Sequence, residues 1–421
     1  MKEGNRLSDA LFEPPDLDEV ELSVLAEIDG LRTKLRWQLN EPRRWVDSLR
    51  RMQFARAVQG SNSIEGYEAA LDDAAAIDLG EEPLDADEET RLALKGYRDA
   101  MTYVLQLARE AEFTYSGQLI KSLHFMMTNH DLRNRPGLWR AGSIYVRNDE
   151  TGEIVYEGPD VDQVPELMRR LVEGLNEGGD APSLIRGGMA HLNLVMIHPF
   201  RDGNGRMGRC LQTLVLAREK ILSPHFCSIE EYLGRNAEDY YAVLGRVGGG
   251  AWHPERDARP WIRFILAAHL RQARTLLRRV KETEQLWDRL ERSVKRLGLP
   301  ERTVPVLWDA AMGYRVRNAT YRAMFNESPD EAISEAVASR DLRQLVELGL
   351  LVPRGEKRGR FYLRSRELWD MRQEIIKARD RRDDSDPFEL LAAALNGAVA
   401  AEVCGDAAVV ESGGGAGVSR G

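Results

Sequence analysis

Cysteine is nearly missing from this chain. Only Cys210, Cys227 and Cys404 occur in 421 residues, at spacings that fit neither a disulfide framework nor a zinc site, and a reducing compartment is the simple expectation. The seven histidines add no metal pattern, because His124 and His130 do not share a helical face. No apolar run approaches the roughly 20 residues of a membrane helix. The opening Met1-Lys2-Glu3-Gly4-Asn5 lacks the apolar stretch of a secretory signal. These absences predict a cytoplasmic protein with no membrane partner. An excess of positive charge is missing too. Against 59 Lys and Arg stand 68 Asp and Glu, for a net charge of −9, which excludes a general polyanion binder and leaves room only for local basic patches.

What the chain does have is helical periodicity. Apolar residues recur at helical spacing over 16–39, 88–110, 117–129, 165–176, 183–197 and 206–220, the pattern of amphipathic or buried helices. One interruption reads as a hairpin: β-prone runs at 143–147 and 154–156 flank the polar, Gly-ended segment 148–152. A long charged helix over 269–297 carries Leu270, Leu276, Leu277, Leu286, Leu290 and Leu297 as its inner stripe, which would join neighbouring parts of the chain or serve a homodimer. From 300 the character changes. Segments 304–312, 319–325 and 331–348 read as three helices, and 349–363 as two short strands around a basic turn. After 380 the chain holds too few large apolar residues to order itself, with a transient helix at most over 388–401. The expected divisions are an N-terminal helical region (1–110), a central core (111–268), a connecting helix (269–299), a C-terminal domain (300–368) and a disordered tail (380–421). The fold class is mainly α.

The most informative residues are His198-Pro199-Phe200-Arg201-Asp202-Gly203-Asn204-Gly205-Arg206-Met207-Gly208-Arg209. The helix before them should end at His198, since the residue before a proline is biased away from helical dihedrals. His198 then stands at the mouth of a loop, and its near-neutral pKa suits a general base. Gly203 and Gly205 permit unusual backbone around Asn204, so that N–H groups converge on an anion at the start of the next helix. Arg206 and Arg209 share a face of that helix, as two guanidinium forks for a chain of phosphates. Asp202 offers the hard oxygen that Mg²⁺ takes, with phosphate oxygens and waters completing the shell.

This string resembles the signature of the Fic family, His-x-Phe-x-Asp/Glu-Gly-Asn-Gly-Arg-x-x-Arg, with every fixed position filled. The resemblance implies transfer of AMP from ATP to a Ser, Thr or Tyr hydroxyl of a target protein, or of the chain itself. It implies His198 as the base, Asp202 as the ligand of Mg²⁺ (or Mn²⁺), the Gly203–Gly205 backbone with Asn204 as the anion hole, and Arg206 and Arg209 on the phosphates. It also implies a Fic-type helical bundle in which the hairpin is a flap that holds the target by strand addition.

Ser61-Asn62-Ser63-Ile64-Glu65-Gly66 resembles the family's inhibitory motif, Ser/Thr-x-x-x-Glu-Gly/Asn, here placed after a helix expected over 44–58. By this resemblance Glu65 pairs with Arg209 where ATP should bind. The plain alternative is a helix end with Ser61 as cap and Glu65 in solvent. Residues 236–241 resemble the family's adenosine-framing segment, in which Tyr240 and Tyr241 supply either a stacking ring or two core side chains.

The C-terminal pattern resembles the winged helix-turn-helix domains that Fic proteins often carry. Arg354, Lys357, Arg358 and Arg360 at the wing suit phosphate contacts with DNA. Asp330, Glu331, Glu335 and Asp341 on the presumed recognition helix oppose such binding and favour protein docking or dimer formation. Two further readings stay open. Glu65 would activate water to remove AMP from modified proteins, or the chain is a DNA-binding regulator whose core serves as a sensor. The motif does not exclude UTP or GTP.

Overall fold

Asp18 and Glu21 open the first helix reciprocally. The Glu21 N–H donates to Asp18 Oδ1 (2.8 Å) and the Asp18 N–H to Glu21 Oε2 (3.0 Å), the capping box of a helix start. Helix α1 then runs Glu19–Asn40, followed by α2 (Val46–Ser63), α3 (Leu71–Asp78), α4 (Glu88–Leu107) and α5 (Gly117–Thr128). Asp87 and Ser116 cap α4 and α5 by accepting from the N–H groups of Thr90 and Leu119. Strands β1 (Tyr145–Arg147) and β2 (Ile154–Glu157) pair antiparallel, Tyr145 opposite Glu157, with an irregularity after Val146. Next come α6 (Val164–Glu177), α7 (Ser183–Ile197), α8 (Asn204–Arg218), α9 (Pro224–Cys227), α10 (Glu230–Arg235), α11 (Ala237–Gly248) and the 38-residue α12 (Arg259–Arg296). The chain continues through α13 (Val304–Met312), α14 (Asn318–Ala323), α15 (Glu335–Glu347), the antiparallel pair β3 (Leu351–Arg354) and β4 (Phe361–Arg364), and α16 (Arg366–Lys377).

The structure is a computed structural model and describes residues 10–40, 43–147, 151–220, 222–325, 332–379 and 385–389. The hairpin turn at 148–150, the acidic pair Asp330 and Glu331, Cys404, the side chain of Arg358 and the tail segments 380–384 and 390–421 lie outside these residues. Among the described residues no helix is long and apolar enough to cross a membrane.

Two apolar clusters hold the body together. One gathers the inner sides of α1, α12 and the C-terminal helices, the other those of α4, α5, α6 and α8. Both draw on α7, which is why nearly all of that helix is buried. The expected boundary at 268/269 cuts through α12, which starts ten residues earlier, at Arg259. Much of its leucine stripe packs within the chain: Leu270, Leu276, Leu286 and Leu290 are fully buried, and Leu277 and Leu297 are partly buried against the same core. Helix α1 is pinned to α12 by ions as well. Glu21 is buried and accepts from Arg259 (2.6 Å) and Arg263 (2.8 Å), which compensates a carboxylate that burial alone would penalise.

The N- and C-terminal parts are joined across the sequence. Arg315 follows α13 and bonds three carboxylates of the early chain: Asp72, Asp73 (3.0 Å) and Asp85 (2.5 Å). Arg51 of α2 lies 3.5 Å from Asp309 of α13. Helices α2 and α10 touch through their backbones, because a Cβ on Gly60 would stand 2.6 Å from the Glu230 carbonyl and one on Gly234 would stand 2.6 Å from the Gly60 carbonyl. Two glycines thus allow the close approach that fixes the end of α2.

In the C-terminal part three helices precede the β3–β4 hairpin, and Val316 bridges to Tyr362. One expectation is corrected. Asp341 does not present a negative charge to a ligand. It is buried, accepting from Arg302 Nε (2.7 Å) and from the Tyr321 hydroxyl (3.0 Å). The outer side of α15 carries Arg340 and Arg343 together with Glu335.

Candidate active site

Helix α7 ends at His198 in the left-handed conformation (φ 51°, ψ 57°), its N–H still bonded to the Leu194 carbonyl. The turn directs the imidazole back along the helix, where Nδ1 lies 3.1 Å from the Val195 carbonyl. A carbonyl can only accept, so the proton sits on Nδ1 and Nε2 presents its lone pair. Burial lowers the His198 pKa below its ordinary value, outweighing the opposing pull of the Val195 carbonyl, Glu65 and Asp202. The ring is neutral at neutral pH, as a base must be before it acts.

The loop that follows is closed by its own side chains. Asn204 is buried, accepts from the Phe200 N–H (2.9 Å) and donates to the Phe200 carbonyl (3.0 Å). Its amide therefore shapes the loop that presents the Gly203–Gly205 backbone. Gly203 has the positive φ (75°) expected of it, whereas Gly205 lies inside α8 with ordinary helical backbone. The need at 205 is space: a Cβ there would stand 2.4 Å from Glu65 Oε1 and 3.0 Å from Arg209 Nη1.

Arg209 is buried and held on three sides. Nε donates to Ser61 Oγ (2.8 Å), and Nη2 donates to the Ser61 carbonyl (2.8 Å) and to Glu65 Oε1 (2.7 Å). The expected motif after a helix over 44–58 is thus the last turn of α2, with Ser61 inside the helix and Glu65 just past its end. Burial raises the Glu65 pKa, but Arg209 and Arg206 outweigh it, and the carboxyl ends below its ordinary value. A solvated helix end is excluded for these residues.

Arg206 is equally buried, stacked 5.1 Å from the Tyr67 ring centroid, with Asp202 at 3.5 Å. Among the described residues, Arg206 Nε and Nη1 and Arg209 Nη1 are buried donors with no protein partner. Such donors are costly unless an anion meets them, so the pair fits phosphate oxygens. The Asp202 side chain is 39% exposed, with long contacts to Arg206 and to Asn134 (3.4 Å). A single accessible carboxylate is what Mg²⁺ uses when phosphates and waters supply the remaining ligands. Among the described residues no cluster of three His, Cys, Asp or Glu forms a protein-only metal site.

The two tyrosines part ways. Tyr240 is buried, its hydroxyl 3.0 Å from His191 Nε2, and belongs to the core. Tyr241 is 51% exposed and donates to the Ile64 carbonyl (3.0 Å). His191 is a core residue, as its place on α7 suggests.

Two residues of the site escaped the sequence reading. His124 stacks flat on Phe200 (3.6 Å, 1°), accepts the Gly137 N–H at Nδ1 (2.9 Å), and so donates from Nε2 to the Asp202 carbonyl (2.8 Å). Burial lowers its pKa to about 4, which keeps both bonds in place at neutral pH. Arg140 donates to the carbonyls of His198 (3.0 Å), Gly142 (2.7 Å) and Pro159, tying the loop after α7 to the base of the β1–β2 hairpin. The only signal for Arg140 was its position just ahead of the hairpin. His124 gave none.

Residues 114–216 match the Fic/DOC family. Protein adenylyltransferase Fic of Nematostella vectensis is 24% identical over 270 residues, 60% of this chain and 55% of the relative. Protein adenylyltransferase fic-1 of Caenorhabditis elegans is 30% identical over 127 residues, 30% of this chain and 22% of the relative. The chain therefore spans about half of the first relative's length and about a fifth of the second's. Among solved structures, a Fic family protein from Desulfovibrio desulfuricans G20 superposes with a TM-score of 0.52 at 20% identity, covering 88% of this chain and 100% of that one. The fold is of the Fic type.

Proposed function

We propose that this chain, which carries a Fic/DOC family domain over residues 114–216, is a protein adenylyltransferase restrained by its own Glu65. The observation that supports it most directly is the juxtaposition of a neutral His198, its Nε2 lone pair free of the Val195 contact, with the unpartnered donors of Arg206 and Arg209. A Ser, Thr or Tyr oxygen forms a bond to the α-phosphorus of ATP. The bond from that phosphorus to the pyrophosphate oxygen breaks, the hydroxyl proton passes to His198 Nε2, and pyrophosphate leaves. Arg206 and Arg209 hold the phosphates, with the first N–H groups of α8 beside them. Asp202 would hold Mg²⁺, which supplies charge neutralisation on the phosphates when bound. His124, Asn204 and Arg140 keep the loop in shape, so that positioning is prepaid in the fold.

Glu65 restrains this chemistry by occupying Arg209. Keeping 99% of molecules in that arrangement takes only about 2.7 kcal/mol, within reach of a buried charge-assisted pair backed by Ser61.

The test is incubation of the full chain with ATP labelled on either the α- or the γ-phosphate. Label retained on protein from the α-position only, increased by Glu65→Gly and lost in His198→Ala, supports the reading. Label from the γ-position, or none from either in Glu65→Gly, overturns it. The opposite direction has one observation in its favour: Glu65 is ionised beside His198, where it could orient a water. Net loss of AMP from pre-labelled protein on adding the unaltered chain would identify removal as the dominant activity.

A further inference from the structure

A cavity of about 270 Å³ opens between the catalytic loop and the base of the flap, lined by Arg135, Leu138, Gly142, Ser143, Ile144 and Arg201 among others. Its position is telling. Arg201 immediately precedes Asp202 in the catalytic loop, and Ile144 immediately precedes β1. Arg140, which also lines the cavity, donates to the His198 carbonyl (3.0 Å), so the opening lies close to the proposed base.

Many arginines of the chain meet carboxylates, as Arg315 meets Asp72, Asp73 and Asp85. Arg135 and Arg201 are both exposed, and neither meets a carboxylate among the described residues. The bond recorded for Arg201 goes from Nη1 to the Arg133 carbonyl (3.2 Å), which orients the guanidinium without neutralising it. No acidic residue lines the cavity. Arg140 lines it too, but its donors are spent on the carbonyls of His198, Gly142 and Pro159.

The backbone contributes. Arg135 is one of four non-glycine residues with positive φ (52°) among the described residues, held so by its N–H bond to the Leu132 carbonyl (3.1 Å) after the turn that Asp131 caps. A conformation that L-residues avoid is kept where something over-determines it. Leu138 (51% exposed) and Ile144 add apolar surface to the same lining. Cationic and apolar lining together match the two parts of a Glu side chain, its carboxylate and its methylene stem.

We infer that this cavity is a specificity pocket of the transferase, taking an acidic side chain of the target, Glu in preference to Asp, that flanks the modified hydroxyl. This rests on the adenylyltransferase reading and names the class of target segment it accepts. An extended segment advances about 3.3 Å per residue, so the acidic residue and the hydroxyl lie on one short stretch of the target.

The experiment uses the full chain carrying Glu65→Gly, α-labelled ATP, and a peptide array in which each position around a central Ser, Thr or Tyr is varied among Glu, Ala and Lys. The expected result is one position at which Glu is modified roughly tenfold faster than Lys. Arg201→Glu and Arg135→Glu, each added separately and checked by thermal melt, should reverse that preference toward Lys. Two variants guard against either one failing to fold. Labelled peptides with no acidic preference, or a preference untouched by both reversals, overturn the pocket and leave the transferase standing. No label on any peptide or on the chain itself overturns the transferase reading and the pocket with it.

Discussion

Glu65 Oε1 lies 2.7 Å from Arg209 Nη2, and the same oxygen stands 2.4 Å from where a Cβ on Gly205 would be. One carboxylate thus fills the space over the first turn of α8, where helix dipole and guanidinium together favour an anion. Residues 144 positions apart share a site that either a side chain or a phosphate can complete.

Replacing Glu65 with Gly should raise self-labelling by α-labelled ATP by roughly 100-fold, the factor that corresponds to about 2.7 kcal/mol of restraint. The initial rate of label incorporation measures it. An unchanged rate would remove Glu65 from regulation.

Ser61→Ala deletes the hydroxyl that receives Arg209 Nε but keeps the backbone carbonyl that receives Nη2. The loss of one charge-assisted bond, about 1.5 kcal/mol, predicts roughly tenfold activation, smaller than that of Glu65→Gly. In a chain already carrying Glu65→Gly the same change should add no activation. Additive activation in the double variant would show that Ser61 acts by another route.

His124→Ala leaves the Gly137 N–H and the Asp202 carbonyl without their partner. The loop would loosen around Asp202, and kcat should fall roughly 10- to 100-fold, with ATP affinity by calorimetry changed far less. Equal losses in both would mean that His124 supports the whole domain rather than the loop.

The pH dependence of kcat/KM in Glu65→Gly should place its acidic limb below about pH 6.5, the ordinary imidazole value. Burial lowers the His198 pKa, so the neutral, proton-accepting form persists to lower pH and activity is already level at pH 7. The Glu65 carboxyl is shifted down as well. Its pairing with Arg209 stabilises the fold fully above the ordinary carboxylate range and is lost as pH falls through the lowered value. Inhibition in the unaltered chain should therefore hold throughout the neutral range. Activation on approaching pH 6 would contradict it.

Arg315→Ala removes the shared partner of Asp72, Asp73 and Asp85. Asp73 is buried and keeps only the backbone N–H groups of Leu84 and Asp85. A loss of about 2 kcal/mol is expected, read as a lower midpoint in thermal denaturation. An unchanged midpoint would mean that the C-terminal helices do not brace the segment after α2.

Helix existence followed from periodicity: α7 matches its expected bounds, and α5 and α6 differ by a residue or two at an end. The errors have physical causes. Helix α12 extends ten residues further N-terminally than its charged, leucine-striped portion because Trp261, Ile262, Ile265 and Leu266 are buried in the core rather than facing a seam. Asp341 looked like a surface charge because sequence spacing does not reveal a distant Arg302. Tyr240 and Tyr241 are adjacent in sequence, yet one is buried and the other half exposed, since successive residues on a helix point about 100° apart.

The stretch 198–209 determined by itself that an imidazole, a carboxylate, a positive-φ glycine and two arginines would gather, because a turn followed by a helix brings neighbours in sequence together whatever surrounds them. The likeness of residues 61–66 to an inhibitory motif pointed to Glu65 as the partner of Arg209, but only the tertiary structure decided how the group is held. His124, Arg140 and Glu65 reach the loop from other elements, across 78, 58 and 144 positions. Contacts of that range depend on how α2, α5 and the β1–β2 hairpin pack against α7 and α8, and no local spacing encodes them.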